Sequence, residues 1–245
     1  MKVLVAIANY GSFRFGYLDR VIRAYQGMPF QTTIVLHSDR LKRVPGGVEL
    51  VVGMPAPNPH SLPFAHKTLF AERVRDFDLF VYSEDDILIE GHHLTAFLKA
   101  AELLPEDEVP GFFRYEYGPD GHIWYVDAHP PYDWVARSVR RHGEYVFGSF
   151  SNEHSGCYVL TQAQMERAIR SGGYLAPPHR AFYEMRESAA TDPYTRCGLA
   201  KRLCLSHWRE FLVHHLPNSY AGALGTRADE LHAQLEHRLA EAEKV

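Results

Sequence analysis

The amino-acid sequence predicts an α/β fold built around a mainly parallel sheet. Short β-rich runs alternate with helical segments through the first half of the chain, which is the pattern of parallel strands joined by helical crossovers. The first run, Val3 to Ala8, is apolar throughout, as expected for a strand buried on both faces. With 245 residues, 46% of them hydrophobic, the chain is long enough to bury one large core.

The individual elements follow from apolar periodicity and from the positions of glycine and proline. The first half is predicted to form strands over 3–8, 32–37, 48–52 and 79–82, helices over 15–25, 64–74 and 92–104, and a proline-rich loop over 54–59. The second half is predicted to be a mixed or antiparallel region, with strands over 112–117, 123–126 and 145–150 and helices over 162–169, 199–213 and 227–244.

The last predicted helix is amphipathic. Leu231, Leu235 and Leu239 lie on one stripe of it, and charged residues cover the rest. We expect this stripe to pack back on the domain, and a homodimer interface is the alternative.

Composition narrows the classes of function. A net charge of −4 offers no basic surface for a nucleic-acid backbone. Three cysteines, an odd number without a CxxC pair, favour a reducing compartment. The N-terminal apolar run stops at Asn9, too soon for a signal peptide, and no segment approaches the ~20 apolar residues of a membrane span. We therefore expect a cytoplasmic protein that binds no nucleic acid and has no transmembrane segment.

Three consecutive acids, Glu84, Asp85 and Asp86, follow the predicted strand 79–82. Adjacent carboxylates repel one another, and the carboxyl end of a strand in an open α/β sheet is where ligands bind. Because neighbouring side chains diverge there, Glu84 and Asp86 are expected to point to one side and Asp85 away from it. Two carboxylates from one turn suit Mg²⁺ or Mn²⁺. Taken alone, the motif fits a solvated acidic turn equally well.

The segment from Leu79 to Ile89 resembles the strand–DxD–strand signature of GT-A fold glycosyltransferases, with Glu84 in place of the first aspartate. The resemblance implies a GT-A-like, Rossmann-type sheet and transfer of a sugar from a UDP- or GDP-type donor to an unidentified acceptor hydroxyl. It implies that Glu84 and Asp86 hold Mn²⁺ or Mg²⁺ on the donor diphosphate, with Asp85 as the middle position of the motif. The organisation along the chain predicts a single domain 1–245 with a donor-binding half 1–105, an acceptor-side half 106–225 and a C-terminal helix 226–245.

Other positions match places where this family binds the nucleotide. Tyr10 would stack on the base and Asn9 would hydrogen-bond it, since both follow the first strand; an ordinary strand-to-helix turn is the alternative. Asp39, after the second strand, would contact the base or ribose, although an Asx turn explains it as well. Lys67 or His66, near a helix start, would contact phosphate, although a solvated lysine is the commoner situation.

The turn before residue 158 resembles the small-residue turn that lies beside the donor sugar in this family. Gly156 would allow the backbone to approach the sugar closely. Glu153 or His154 would hydrogen-bond its hydroxyls. A hairpin corner is equally consistent with these residues.

Transfer with inversion requires a base to accept the proton of the acceptor hydroxyl. The family carries acids at a helix start in this region, and we select Asp192 first and Glu187 second. If the enzyme retains configuration, these acids would instead stabilise an oxocarbenium-like sugar. Because Pro193 follows Asp192, a plain helix N-cap is the alternative.

A C-terminal histidine is a frequent third metal ligand in the family, and imidazole suits Mn²⁺ better than Mg²⁺. If the segment around His214 and His215 is extended, His214 shares the core face with Leu212 and Leu216, and His215 is the ligand we select. If it is helical, His214 is equally placed. A structural histidine is the alternative in both cases.

Two other functions compete with sugar transfer. A sugar-phosphate nucleotidyltransferase would carry a Gly-rich basic loop after the first strand, and the segment Asn9 to Arg14 is a poor match. A non-catalytic nucleotide- or sugar-binding module would not need the Glu84 and Asp86 carboxylates.

Overall fold

The computed structural model describes residues 1–11 and 15–242. Within them the strands are β1 Lys2–Asn9, β2 Gln31–Ser38, β3 Val48–Val52, β4 Leu79–Glu84, β5 Ile87–Leu88, β6 Glu108–Pro110, β7 Phe113–Tyr117, β8 Ile123–Tyr125, β9 Arg140–His142, β10 Tyr145–Gly148, β11 Cys157–Thr161, β12 Ala200–Cys204, β13 Leu212–His215 and β14 Thr226–Arg227. The α-helices are α1 Phe15–Gln26, α2 Ala65–Glu72, α3 Gly91–Ala101, α4 Gln162–Arg170, α5 Met185–Thr195 and α6 Ala228–Ala242, with 3-10 helices at Pro59–Phe64 and Trp208–Phe211.

The chain divides into two units, 1–91 with 156–199 and 92–155 with 200–245. Each predicted half is one continuous segment of the chain, whereas each unit of the structure consists of two segments. Segment 156–199 belongs with the first unit because its strand β11 pairs antiparallel with β4.

The first unit contains a five-stranded sheet in the order β11-β4-β1-β2-β3. β1 to β4 are parallel to their neighbours, and only β11 runs the other way. The residues of β1 from Val3 to Ile7 are fully buried, which explains their unbroken apolar run. The predicted α/β class with a mainly parallel, Rossmann-type sheet is confirmed.

The strand register brings three carboxyl ends to one edge of this sheet. Asn9, the last residue of β1, lies opposite Ser38, the last residue of β2. Ala8 lies opposite Glu84, the last residue of β4. In open parallel sheets this is the edge where ligands bind.

The second unit contains two smaller sheets, which confirms the predicted mixed region. One has the order β6-β12-β10-β9, and the other contains β14, β8, β7 and β13 in that order. Each combines one parallel pair with antiparallel neighbours.

The C-terminal helix α6 packs within this second unit, as predicted for its leucine stripe. Leu231 and Leu235 are buried in a cluster that includes Tyr125, Trp134 and Trp208. The indole Nε1 of Trp134 also donates a hydrogen bond of 3.0 Å to Gln234 on the helix. The predicted last residue of this helix, Lys244, lies outside the described residues.

The helix predicted over 199–213 is wrong. This segment forms strand β12, a 3-10 turn and strand β13. β12 pairs with both β6 and β10, and these tertiary pairings override a local pattern that fits either secondary structure. In the described part of the chain, no helix is long and apolar enough to cross a bilayer.

Candidate functional site

A cavity of about 300 Å³ lies within the first unit, at the edge where β1 and β4 end. Its volume is in the range of sites for small molecules. The lining combines one aromatic ring, two carboxylates, a guanidinium, an imidazole and an apolar wall. The residues are Ala8, Tyr10, Pro59, His60, Leu62, Pro63, Glu84, Asp85 and Arg186.

The apolar wall is the 3-10 helix Pro59–Phe64, which continues the predicted proline-rich loop. Asn58 caps it, accepting a hydrogen bond of 3.0 Å from the backbone N–H of His60. Proline at its first position costs no hydrogen bond, because that N–H has no partner in a helix. Both features stabilise the wall locally.

The acidic motif differs from its predicted arrangement. Glu84 and Asp85 both line the cavity, whereas Asp86 is 1% exposed and does not line it. The reason is that β4 ends at Glu84 and Asp85 lies in the turn to β5, so strand alternation does not continue through the motif. The expectation that Asp85 points away from the site is wrong, and the metal-binding roles of Glu84 and Asp86 stay predictions.

Asp85 belongs to a hydrogen-bonded network below the cavity. Asn9 Nδ2 donates to Asp85 Oδ2, and Lys42 Nζ donates to both the backbone and side-chain oxygens of Asn9. Lys42 Nζ also lies 3.5 Å from Asp39 Oδ1. The side chains of Asn9 and Asp39 thus tie together three strand ends, and their predicted contacts with base or ribose stay predictions.

Asp39 is held in its charged form by this network. It accepts a hydrogen bond of 2.9 Å from the N–H of Gly11 and pairs with Arg40 at 2.7 Å. Burial acts to raise the pKa of Asp39, but these hydrogen bonds and the charge of Lys42 hold it below its ordinary value. The contacts of Asp39 are thus with the backbone just after β1 and with two basic side chains, and within the described part of the chain they do not include the backbone hydrogen bond of the predicted Asx turn.

Tyr10 lines the cavity, and Gly156 contacts the acidic motif. The Tyr10 side chain is 50% exposed and lines the cavity, so a ring face is available for a planar ligand. Gly156 has a φ of +63°, and its carbonyl accepts a hydrogen bond of 2.9 Å from the N–H of Glu84. Gly156 therefore supports the acidic motif directly, and its contact with a donor sugar stays a prediction.

Lys67 and Asp192, predicted to bind phosphate and to act as base, are buried together. Their side chains are 3% and 1% exposed and form an ion pair away from the cavity lining. The neighbouring His66 is also buried, donating from Nδ1 to the carbonyl of Pro63 and accepting at Nε2 from the Tyr158 hydroxyl at 2.6 Å. This placement gives no support to phosphate contact by Lys67 or His66.

The helix predicted to open at Asp192 begins earlier. α5 starts at Met185, so Asp192 and Pro193 lie in its last turns. Glu187 forms a capping box with Glu184 at the start of this helix. The predicted N-cap is wrong, and the catalytic roles of Asp192 and Glu187 stay predictions.

In the second unit, Glu153 is a carboxyl group with an altered pKa. Lys201 Nζ donates to the Glu153 carbonyl and to Ser155 Oγ, both at 3.2 Å. Burial raises the pKa of the Glu153 side chain from 4.5 to about 6, against the opposing charges of Lys201 and Arg202. Glu153 therefore holds its proton more tightly than an exposed glutamate does.

Glu153→Gln is expected to stabilise the protein at pH 7.5 by about 1–2 kcal/mol, because one pKa unit corresponds to about 1.4 kcal/mol. The folded-state pKa of Glu153 exceeds its unfolded value, so its ionisation removes stability as pH rises through about 6. Urea unfolding at pH 7.5 and pH 4.5 measures the effect, which should be much smaller at the lower pH. Glu102→Gln, at an exposed position, serves as the control. Equal effects of Glu153→Gln at both pH values would contradict the assignment.

His215, the predicted third metal ligand, is extended in β13 and buried. Its Nδ1 donates to Glu116, which also accepts hydrogen bonds of 2.7 and 2.6 Å from the N–H groups of Tyr220 and Ala221. These bonds hold the pKa of Glu116 below its usual value although burial acts to raise it. A carboxylate on Nδ1 is the arrangement that orients metal-binding histidines, and ligation by His215 stays a prediction. His214 stacks on Tyr115 instead.

Three residues of the site carried no recognisable signal in the sequence. Arg186 lies among the acids of an acid-rich segment, His60 in a proline-rich loop, and Lys42 in a basic run. Only the tertiary structure brings them to one edge of the sheet. Of the loop that argued against a nucleotidyltransferase, Ser12, Phe13 and Arg14 lie outside the described residues.

No family model and no curated protein matches the chain. Among solved structures, similarity is found to mannose-1-phosphate geranyltransferase from Thermus thermophilus, with 14% identity, a TM-score of 0.48, and coverage of 83% of this chain and 73% of that one. It is also found to CMP:2-keto-3-deoxy-manno-octonic acid synthetase complexed with CTP, with 12% identity, a TM-score of 0.49 and full coverage of both chains. Likeness at this level assigns no activity to this chain.

Proposed function

We propose that the protein is a metal-dependent glycosyltransferase that moves a sugar from a nucleotide-diphosphate sugar to an acceptor hydroxyl. One observation carries the proposal: the cavity at the carboxyl edge of the parallel sheet combines the exposed ring of Tyr10, the carboxylates of Glu84 and Asp85, and the guanidinium of Arg186. A nucleotide diphosphate presents a flat base and a doubly charged group, and these side chains complement both.

In this proposal Tyr10 stacks on the base, and Arg186 pairs with the phosphates. Carboxylate oxygens that share a cavity wall fit Mg²⁺ or Mn²⁺, and Asn9 holds one of them, Asp85, in place. When bound, the metal would neutralise the leaving diphosphate. Asp86 and His215 remain proposed ligands through the family resemblance.

The proton of the acceptor hydroxyl needs a base. Asp192 and Glu187 are the candidates from the sequence, but one is in a buried ion pair and the other caps a helix. Their roles as catalytic acids are proposed on the family resemblance.

The proposal is tested by measuring the melting temperature of the protein with UDP, GDP, CDP and ADP, each with Mn²⁺ or EDTA. A ligand that binds only the folded state raises the melting temperature, and a rise of about 2.7 kcal/mol in stability is expected at about 100 times the Kd. At least one nucleotide should act, and more strongly with Mn²⁺. No shift with any of them would refute the proposal.

Two activity assays separate the competing functions. Release of a nucleoside diphosphate from a nucleotide sugar supports sugar transfer. Release of pyrophosphate from a nucleoside triphosphate and a sugar phosphate would support a nucleotidyltransferase instead. Binding without either reaction would support the non-catalytic module.

Arg186→Gln is expected to weaken nucleoside-diphosphate binding about tenfold or more, because a hydrogen bond to a charged group contributes about 1.5–3 kcal/mol. Affinity for the uncharged nucleoside should not change. Calorimetric titration of both ligands measures the difference. Arg170→Gln, at an exposed arginine of the same unit, is the matched control. Equal losses for nucleoside and diphosphate would exclude a phosphate contact.

A further inference from the structure

The ion pair between Lys67 and Asp192 is among the most deeply buried charged contacts of the first unit. Lys67 is in α2 and Asp192 is in α5, with side-chain exposures of 3% and 1%. Burial lowers the pKa of the lysine although Asp192 opposes the shift. Because desolvation offsets much of the attraction, apolar residues would stabilise such a position equally well. The pair therefore calls for a reason beyond stability.

Lys67 contacts the apolar wall of the cavity from behind. Its Nζ lies 4.3 Å from the ring centroid of Phe64, the last residue of the 3-10 helix that forms this wall. His179 adds a second contact, with its ring 5.4 Å from that of Phe64 and its Nε2 3.3 Å from Asp192 Oδ1. The 3-10 helix wall thus contacts both Lys67 and His179 through Phe64.

Asp192 connects the same ion pair to the other side of the cavity. It lies on α5, the helix whose first turn carries Arg186 into the lining. A shift of Asp192 therefore moves the helix that bears the guanidinium. Neither Lys67 nor Asp192 lines the cavity itself.

We infer that Lys67 and Asp192 are positioning residues whose ion pair sets the separation between the 3-10 helix wall and Arg186, and so the affinity for a nucleotide diphosphate. The part that concerns affinity rests on the proposed function. A charged hydrogen bond has one preferred distance and direction, whereas apolar side chains fill the same volume in several ways. Rigid placement of recognition groups lowers the ordering cost of binding.

The test compares Lys67→Met, Asp192→Leu and the double variant. Each single variant leaves one buried charge without its partner, and a fall in melting temperature is expected. The double variant should regain most of the melting temperature but bind the nucleoside diphosphate and Mn²⁺ at least tenfold more weakly than the unmodified protein. Wild-type affinity in a stable double variant would show that the pair is only structural and overturn the inference.

Asp192→Asn keeps a hydrogen-bond acceptor for Lys67 and provides a milder variant if the double variant does not fold. It should weaken affinity and speed amide hydrogen exchange in segments 60–64 and 185–188 at a temperature well below melting. Either unchanged affinity or unchanged exchange would overturn the inference. Asp127→Asn disturbs another buried ion pair, with Arg114 in the second unit, and should lower the melting temperature without changing affinity.

Hydrogen exchange also separates this inference from the proposed function. If the unmodified protein binds none of the nucleotides, the proposed function fails. Faster exchange in segments 60–64 and 185–188 of Asp192→Asn would still support a positioning role for the ion pair. Exchange equal to that of the unmodified protein would refute this role, whether or not a nucleotide binds.

Discussion

Glu84→Gln is expected to reduce metal-dependent turnover of the nucleotide sugar about 100-fold or more, equivalent to about 2.7 kcal/mol of transition-state stabilisation. The substitution keeps the volume of the side chain and removes the charge that it presents to the cavity. A neutral amide holds a divalent cation less strongly than a carboxylate does. Steady-state kinetics over a range of Mn²⁺ concentrations measure the loss, which should be partly recovered at high metal concentration.

Two comparisons make the Glu84→Gln result specific. Glu72→Gln, at an exposed glutamate of the same unit, should leave turnover unchanged. Asp85→Asn should weaken Mn²⁺-dependent binding more than Asp86→Asn, because Asp85 lines the cavity and Asp86 does not. The reverse order would restore the pairing of Glu84 with Asp86 that the sequence motif predicts. Full activity of Glu84→Gln would show that the Glu84 carboxylate is not needed for the reaction.

Gly156→Ala is expected to destabilise the protein by about 2–5 kcal/mol, the sum of two effects. A φ of +63° is unfavourable for residues with a Cβ by about 1–2 kcal/mol. The new methyl would lie 3.0 Å from Ile87 Cγ1 and 3.5 Å from Glu84 Oε2. Overpacking of this kind costs about 1–3 kcal/mol. Urea unfolding measures the free-energy difference.

Gly172→Ala isolates the backbone contribution. Gly172 has a φ of +76°, and a Cβ built there meets no atom within 4 Å. Its substitution should therefore cost only about 1–2 kcal/mol. If the two alanine variants are equally destabilised, the contacts of the new methyl with Ile87 and Glu84 add nothing to the cost of Gly156→Ala. Gly156→Ala should also weaken metal binding, because a change in this turn disturbs the hydrogen bond between the Gly156 carbonyl and the N–H of Glu84.

The parallel sheet was predictable from the sequence because each of its central strands is buried on both faces and carries its own apolar run. The segment 199–213 was not, because its residues fit a helix as well as the strands β12 and β13. Only their pairing with β6, β7 and β10 decides between the two.

The candidate site shows the same division between local and distant information. The position of Glu84 at a strand end is a local property that the sequence reveals. The inward turn of Asp85 depends on Asn9 and Lys42, which lie far from it in the chain. Arg186 reaches the cavity only because α5 packs beside the 3-10 helix. No pattern in the sequence predicts that contact.

Because the first unit consists of two separate segments of the chain, its sheet cannot be completed until late in translation. The outer side of β4 pairs with β11, which is synthesised only after the intervening segment that belongs to the second unit. At about 5–20 residues per second, β4 remains an unpaired edge for several seconds during translation. Unpaired edges recruit other strands. Fragments that end before residue 157 should therefore aggregate, and expression of the first unit alone requires joining its two segments.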